Sequence, residues 1–277
     1  MTSGSRIKRI VKKILLMIAS LVIAVAGAIW VWLNFSSANL KNRALMIVVE
    51  SNGYLVPEDV EFYREHKRIA DFFIVNFLGV KRTDLDNDDI LKTLNFSVDA
   101  AMANSIKRFG KGYGKIDALT GKDASWNNLV KVLENNTTSG YISDIVTVVH
   151  GGDNYFWLES QVVWANNMSE NLKGNNIGFV YQTNCFGDSV SKAWLDSGAK
   201  AVFGTEGTNS MVVIAPQLFI RAMVWKRPFE KAVMGAYNKE ILFWKTAKIF
   251  IPGIYWTDEK TLNDSYPMIR GERWYKI

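Results

Sequence analysis

The chain has 277 residues, 48% of them hydrophobic, and a formal net charge of +6. The excess charge is concentrated at one end: residues 1–43 hold seven Lys or Arg and no Asp or Glu, leaving 26 basic and 27 acidic residues beyond them. A near-neutral remainder leaves no case for a nucleic-acid partner in the overall charge, and a single cysteine, Cys185, excludes an intrachain disulfide.

Residues 1–13 form a basic segment with Arg6, Lys8, Arg9, Lys12 and Lys13. Ile14 to Phe35 then run without a charged side chain. A helix rises about 1.5 Å per residue, so roughly 20 such residues cross a hydrocarbon core of about 30 Å. Trp30 and Trp32 near the far end suit an interface, and the positive-inside bias puts the N-terminus in the cytoplasm and the rest outside. The expectation is one transmembrane helix over 14–35, with membrane lipid as its partner. A signal peptide cut at Ala24-Val25-Ala26 is the rival reading, but apolar residues continue through Leu33. Residues 36–43 read as a linker, and 44–277 as one α/β domain.

Within that domain, ALMIVVES (44–51) reads as a buried strand and 58–78 as a helix. Residues 84–89 read as an acidic loop and 88–108 as a second helix. A strand is expected over 114–121 and a helix over 124–135, capped by Asp123 or Ser125. DIVTVVHGG (144–152) is an apolar strand ending in His-Gly-Gly, and 159–172 reads as a helix. IGFVYQTN (177–184) is a strand ending at Cys185, followed by a helix over 189–197. AKAVFGTE (199–206) is a further strand, and a helix starts at 214. Strands apolar on both faces and alternating with helices predict a mostly parallel sheet covered on both sides. Such sheets carry their chemistry at the carboxyl ends of the strands, here Glu50-Ser51, Asp117, His150, Cys185 and Glu206.

Only two histidines occur. His66 falls among charged residues and reads as a surface residue. His150 ends one strand, and the only cysteine ends the next. Consecutive parallel strands are usually neighbours, which would set both side chains on one crevice. A thiolate is a strong nucleophile, and a nearby imidazole and a following helix start both favour it. The backbone N–H groups of Gly151 and Cys185 would receive an oxyanion. Taken singly, a lone Cys reads as a small buried hydrophobe, and the pairing with His150 is what singles it out.

VTVVHGG and GFVYQTNCFGDSVSKAWLDSGAKAVFGTEG resemble the caspase-like cysteine peptidases, and CHAT domains most. The Gly198-Ala199-Lys200-Ala201-Val202 segment and PQLFIRAMVWKRPFEKAVMGAYN are similar to later CHAT segments. The resemblance spans roughly residues 144–238. It implies a caspase-like fold, His150 as general base or polariser, Cys185 as nucleophile, and Gly151 and the Cys185 amide as oxyanion hole. It also implies a substrate pocket built from Glu50, Thr183 and Glu206. With two carboxylates and no cation, that pocket would favour a basic residue. Asn184 departs from the family, where Ala commonly precedes the Cys; Asn bonds its own backbone readily.

Two functions follow as expectations. One is a membrane-anchored cysteine peptidase acting on peptide or protein substrates without a cofactor. The other is an inactive caspase-like domain serving as a membrane-bound scaffold. Asp84-Leu85-Asp86-Asn87-Asp88 lacks the Gly and the acid at position twelve that a calcium loop needs, and Asn95 stands there. No zinc spacing occurs. The aromatic segment 241–277 reads as a helix and strand closing the core, with a lipid- or partner-facing surface as its alternative.

Overall fold

The structure, a computed structural model, describes residues 40–50, 90–159, 161–209, 211–250 and 259–277. The anchor expected at 14–35, the helix at 58–78, the acidic loop at 84–89 and His66 lie outside these residues. Among the described residues, no helix is long and apolar enough to cross a membrane.

Strands β1 (Leu40–Glu50), β2 (Tyr113–Thr120) and β3 (Ile142–Val149) alternate with α1 (Ile90–Phe109) and α2 (Trp126–Thr138). Strand β1 begins inside the segment read as a linker, because Leu40 and Ala44 are already buried. Ser125 is the α2 cap, accepting the Asn128 N–H at 3.3 Å. A short hairpin layer follows, made of β4 (Gly151–Gly152), β5 (Tyr155–Leu158) and β6 (Gln161–Trp164). Then come α3 (Ala165–Leu172), β7 (Ile177–Gln182), α4 (Asp188–Asp196) and β8 (Ala201–Thr205). Helices α5 (Ala215–Val224), α6 (Phe229–Phe250) and α7 (Glu259–Asp264) precede β9 (Pro267–Gly271).

The main sheet has the order β2-β1-β3-β7-β8-β9, all parallel except β9. This is the expected α/β architecture. Side chains alternate across each strand, and the core divides accordingly. Leu45, Ile47 and Val49 of β1 pack in one layer with Ile106 of α1, Phe219 of α5 and Phe229 of α6. Met46 and Val48 pack in the other with Leu129 of α2, Met168 of α3 and Trp194 of α4. Helices therefore cover both faces. Chain order reverses direction between β1 and β3, which makes their carboxyl ends the switch point where open sheets bind ligands.

Two expectations need correction. The helix read over 159–172 is present only from Ala165; the preceding residues form the β5–β6 hairpin. Aromatic and β-branched side chains favour a strand here. Their alternation buries Phe156, Leu158 and Val163 while Trp157, Val162 and Trp164 face outward. Asp117 is not at a strand end. It lies inside β2, 3.1 Å from Lys115 Nζ and from the Asn136 Nδ2 donor.

Candidate active site

Strands β3 and β7 set the level of the site. Thr147 stands opposite Gln182, and the Thr183 N–H continues the ladder by donating to the Thr147 carbonyl at 3.0 Å. His150 comes three residues after Thr147, and Cys185 three after Gln182. The two therefore leave adjacent strands, about 4.8 Å apart, at one height. Both are half-buried.

Two contacts join the turns after the two strands. Asn184 lies against Gly151 so closely that a Cβ there would meet the Asn184 Cβ and Nδ2 at 2.8 Å. Glycine is needed at 151 for that approach. The Asn154 N–H, in the turn after His-Gly-Gly, donates to Ser189 Oγ at 2.7 Å, and that hydroxyl donates to the Phe186 carbonyl at 2.7 Å. One serine thus ties the hairpin after His150 to the turn after Cys185. Asn184 Nδ2 also donates to the Cys185 carbonyl at 3.3 Å, the local backbone bond expected of an Asn there.

The cysteine sits on a sharp strand-to-helix turn. Phe186 has a φ of +54°, a left-handed conformation costly for a bulky residue and typical of functional turns. Helix α4 begins three residues after Cys185, so its positive end lies close by. Gly187 and Gly204 let β8 approach that helix start: a Cβ on Gly204 would meet the Asp188 nitrogen at 2.5 Å. Buried Gln182 fixes the turn from beneath. Its Nε2 donates to the Gly187 carbonyl at 2.7 Å, and its Oε1 accepts from Trp194 Nε1 at 3.1 Å.

Burial pushes His150 below the usual imidazole value, so its ring is neutral at neutral pH. A neutral ring is the form that takes a proton from a thiol. The Trp157 N–H donates to the His150 carbonyl at 2.9 Å, which makes Gly151 and Phe156 a wide pair. In such a pair the Gly151 N–H turns away from β5.

The three expected pocket residues stand at the ends of three different strands, β1, β7 and β8. Glu50 ends β1 opposite Val149, two strands from Cys185, and is 3% exposed. Burial pushes its carboxyl up, and the Glu159 backbone N–H of the hairpin turn opposes that shift. The hairpin turn thus reaches the end of β1. Thr183 is buried, its hydroxyl donating to the Thr147 carbonyl at 3.3 Å. Glu206 is exposed after β8. It lines a depression of about 450 Å³ together with Phe186, Lys260, Asp264, Tyr266 and Met268.

One residue beside the sulfur was not apparent from sequence patterning. The Asn209 N–H points at Cys185 Sγ from 3.5 Å. Asn209 lies four residues past the end of β8, so a reading confined to strand ends stops short of it. Ser189 was equally hidden, inside a helix start.

The fold and this arrangement define an α/β protein with a thiol and an imidazole at the carboxyl ends of neighbouring central strands. No protein-family model matches the chain, and no curated protein does. Ten solved chains match. One is a secreted C11 cysteine protease from Bacteroides thetaiotaomicron, solved with an irreversible peptide inhibitor. It is similar at a TM-score of 0.41 and 7% identity, over 73% of this chain and 59% of that one. This chain therefore spans less than two thirds of that protein's length.

Proposed function

We propose that this chain is a caspase-like cysteine peptidase, or a related acyl-transferring enzyme, held at a membrane by residues 14–35. Its domain would lie on the extracytoplasmic side. The observation that carries the reading is the shared height of His150 and Cys185 on adjacent strands, with Asn184 and Ser189 joining the two turns.

Neutral His150 takes the Cys185 proton, and the thiolate attacks a peptide carbonyl to form a carbon–sulfur bond. The resulting oxyanion is received by the N–H groups of Gly151 and Cys185. The imidazolium gives its proton to the leaving amine as the carbon–nitrogen bond breaks, leaving a thioester. Water, losing a proton to His150, then releases the acid and restores the thiol. No metal or cofactor enters these steps.

Of the expected pocket residues, Glu206 would select a substrate, through a basic side chain entering the depression beside Phe186; its lining of that depression supports this. Peptide hydrolysis by the full chain tests the reading. Cys185→Ala and His150→Ala each should lower turnover by at least 10³-fold while melting remains cooperative. Turnover retained by Cys185→Ala would sink the mechanism. The second reading, an inactive scaffold of the same fold, is favoured by the burial of His150 Nε2 from solvent. It predicts that wild type and both variants behave alike.

A further inference from the structure

The loop after β8 is clamped at each residue that passes the sulfur. The Gly207 carbonyl accepts the Phe186 N–H at 2.8 Å and the Thr205 hydroxyl at 3.1 Å. The Thr208 carbonyl accepts the Ser265 hydroxyl at 3.0 Å. The Asn209 side chain closes the loop on the far side, its Oδ1 accepting the Met211 N–H at 2.8 Å. What remains is the Asn209 main-chain N–H, and it is directed at Cys185 Sγ.

Asn209 is 8% exposed, and its Nδ2 is buried with no hydrogen-bond partner among the described residues. Leaving such a donor unmet costs about 1–3 kcal/mol. Asn184, directly before the cysteine, likewise carries a buried Oδ1 with no hydrogen-bond partner among the described residues. Orphaned polar atoms on both sides of one thiol mark a place where polarity is kept at the expense of stability.

We propose that Asn209 is a positioning residue for Cys185. Its side chain holds the loop so that its main-chain N–H donates to the sulfur, and a hydrogen bond to the charged form favours that form. The role rests on Cys185 being the nucleophile. The titratable groups on the turns next to the cysteine turn are His150 after β3, Glu206 after β8 and Asp188 at the start of α4. Asp188 is held by Arg270 at 2.7 Å. None of them is altered by changing Asn209.

The test is the rate of Cys185 alkylation by iodoacetamide in the full chain, followed from pH 6 to pH 10, with no substrate present. Asn209→Ala should react about tenfold more slowly than wild type at pH 7 and equally fast at pH 10. Asn209→Ser keeps an oxygen that can accept the Met211 N–H, and should lose only about threefold at pH 7. An unchanged Asn209→Ala profile overturns the role. So does a loss equal at every pH, which reports access rather than thiolate formation. If Asn209→Ala does not fold, the Asn209→Ser profile decides: a threefold loss confined to low pH supports the role, and no loss overturns it. A wild type whose pH 7 to pH 10 rate ratio merely equals that of N-acetylcysteine defeats the nucleophile itself and this role with it. A shifted Asn209→Ala profile without any peptide turnover keeps the role and defeats the peptidase reading.

Discussion

Single side chains at the head of β3 and β7 decide whether this molecule has chemistry. Gly151→Ala would drive a methyl into Asn184, so it should cut peptide turnover about a hundredfold. Its melting temperature should change by only a few degrees, and kinetics with parallel thermal melts would check both. Ser189→Ala removes the link between the Asn154 N–H and the Phe186 carbonyl. It should lower kcat more than it raises KM, because it loosens the two turns and not the depression beside Phe186. His150 also sets a sign for pH. Its value in the folded chain lies below the 6.5 of a free imidazole, so the unfolded chain binds a proton first as pH falls. Stability is therefore full above pH 6.5 and declines as pH drops toward the lowered value. Melting temperatures measured from pH 8 to pH 5 should fall in wild type and fall less in His150→Gln. His150 and Cys185 were legible as residues because each closes an apolar strand. Asn209 and Ser189 were not, since their roles come from how two loops pack, which no local pattern encodes. Glu50 was legible as a strand end, but its burial and its bond to the Glu159 backbone N–H were not, because the hairpin that supplies that N–H was read as the start of a helix.

Among the elements, β7 and α5 show how buried polar groups are matched to geometry. Strand β7 carries an irregularity: Ser143 pairs with Ile177, but Ile145 pairs with Val180. The extra residue falls between Ile177 and Val180, and a Cβ on Gly178 in that stretch would collide with Arg43, Asp144 and Tyr275. Those three are one network. Arg43 Nε donates to Asp144 at 2.7 Å, Tyr113 donates to the same carboxylate at 3.0 Å, and Tyr275 contacts the guanidinium at 2.7 Å. Helix α5 begins on a buried carboxylate. Glu240 of α6 accepts the N–H groups of Val213, Ile214 and Ala215 at 2.9, 3.1 and 2.5 Å, and Trp244 Nε1 at 3.3 Å. Burial pushes that carboxyl up while these four donors oppose the shift. Glu240→Ala should cost about 3 kcal/mol by urea unfolding, because it strands three helix-start N–H groups. Glu240→Gln keeps one acceptor oxygen and should cost less. Apolar periodicity was enough to read β1, α2, β3, β7, α4, β8 and α5 to within a few residues. It could not give the hairpin, whose apolar residues fit a helix face as well as a strand, nor the pairing of Glu240 with a helix 25 residues away.

At the scale of the whole molecule, the charge distribution and the sheet order bear on where and on what the protein acts. The excess positive charge lies in the first 43 positions, and the rest of the chain is nearly neutral. The helices divide between the two faces, leaving the strand ends for the site. If residues 14–35 are the tether, deleting 1–35 should move the protein from the carbonate-resistant membrane fraction to the supernatant. The remaining domain should still melt cooperatively. A full chain that carbonate extracts completely would contradict the tether without touching the site. Of the aromatic C-terminal segment, Trp244 and Tyr275 pack on the core, whereas Tyr266 and Trp274 are exposed. The segment therefore closes the fold through part of its aromatic set only. The central claim remains the pairing of His150 with Cys185. Its most direct measurement is intact-mass analysis of the full chain after treatment with a peptidyl acyloxymethyl ketone bearing a basic residue beside the ketone, with peptide mapping of the product. The account predicts a single adduct on Cys185 in wild type, and at least a hundredfold slower labelling in His150→Ala. Equal labelling of the two, or no adduct on folded wild type, would contradict it.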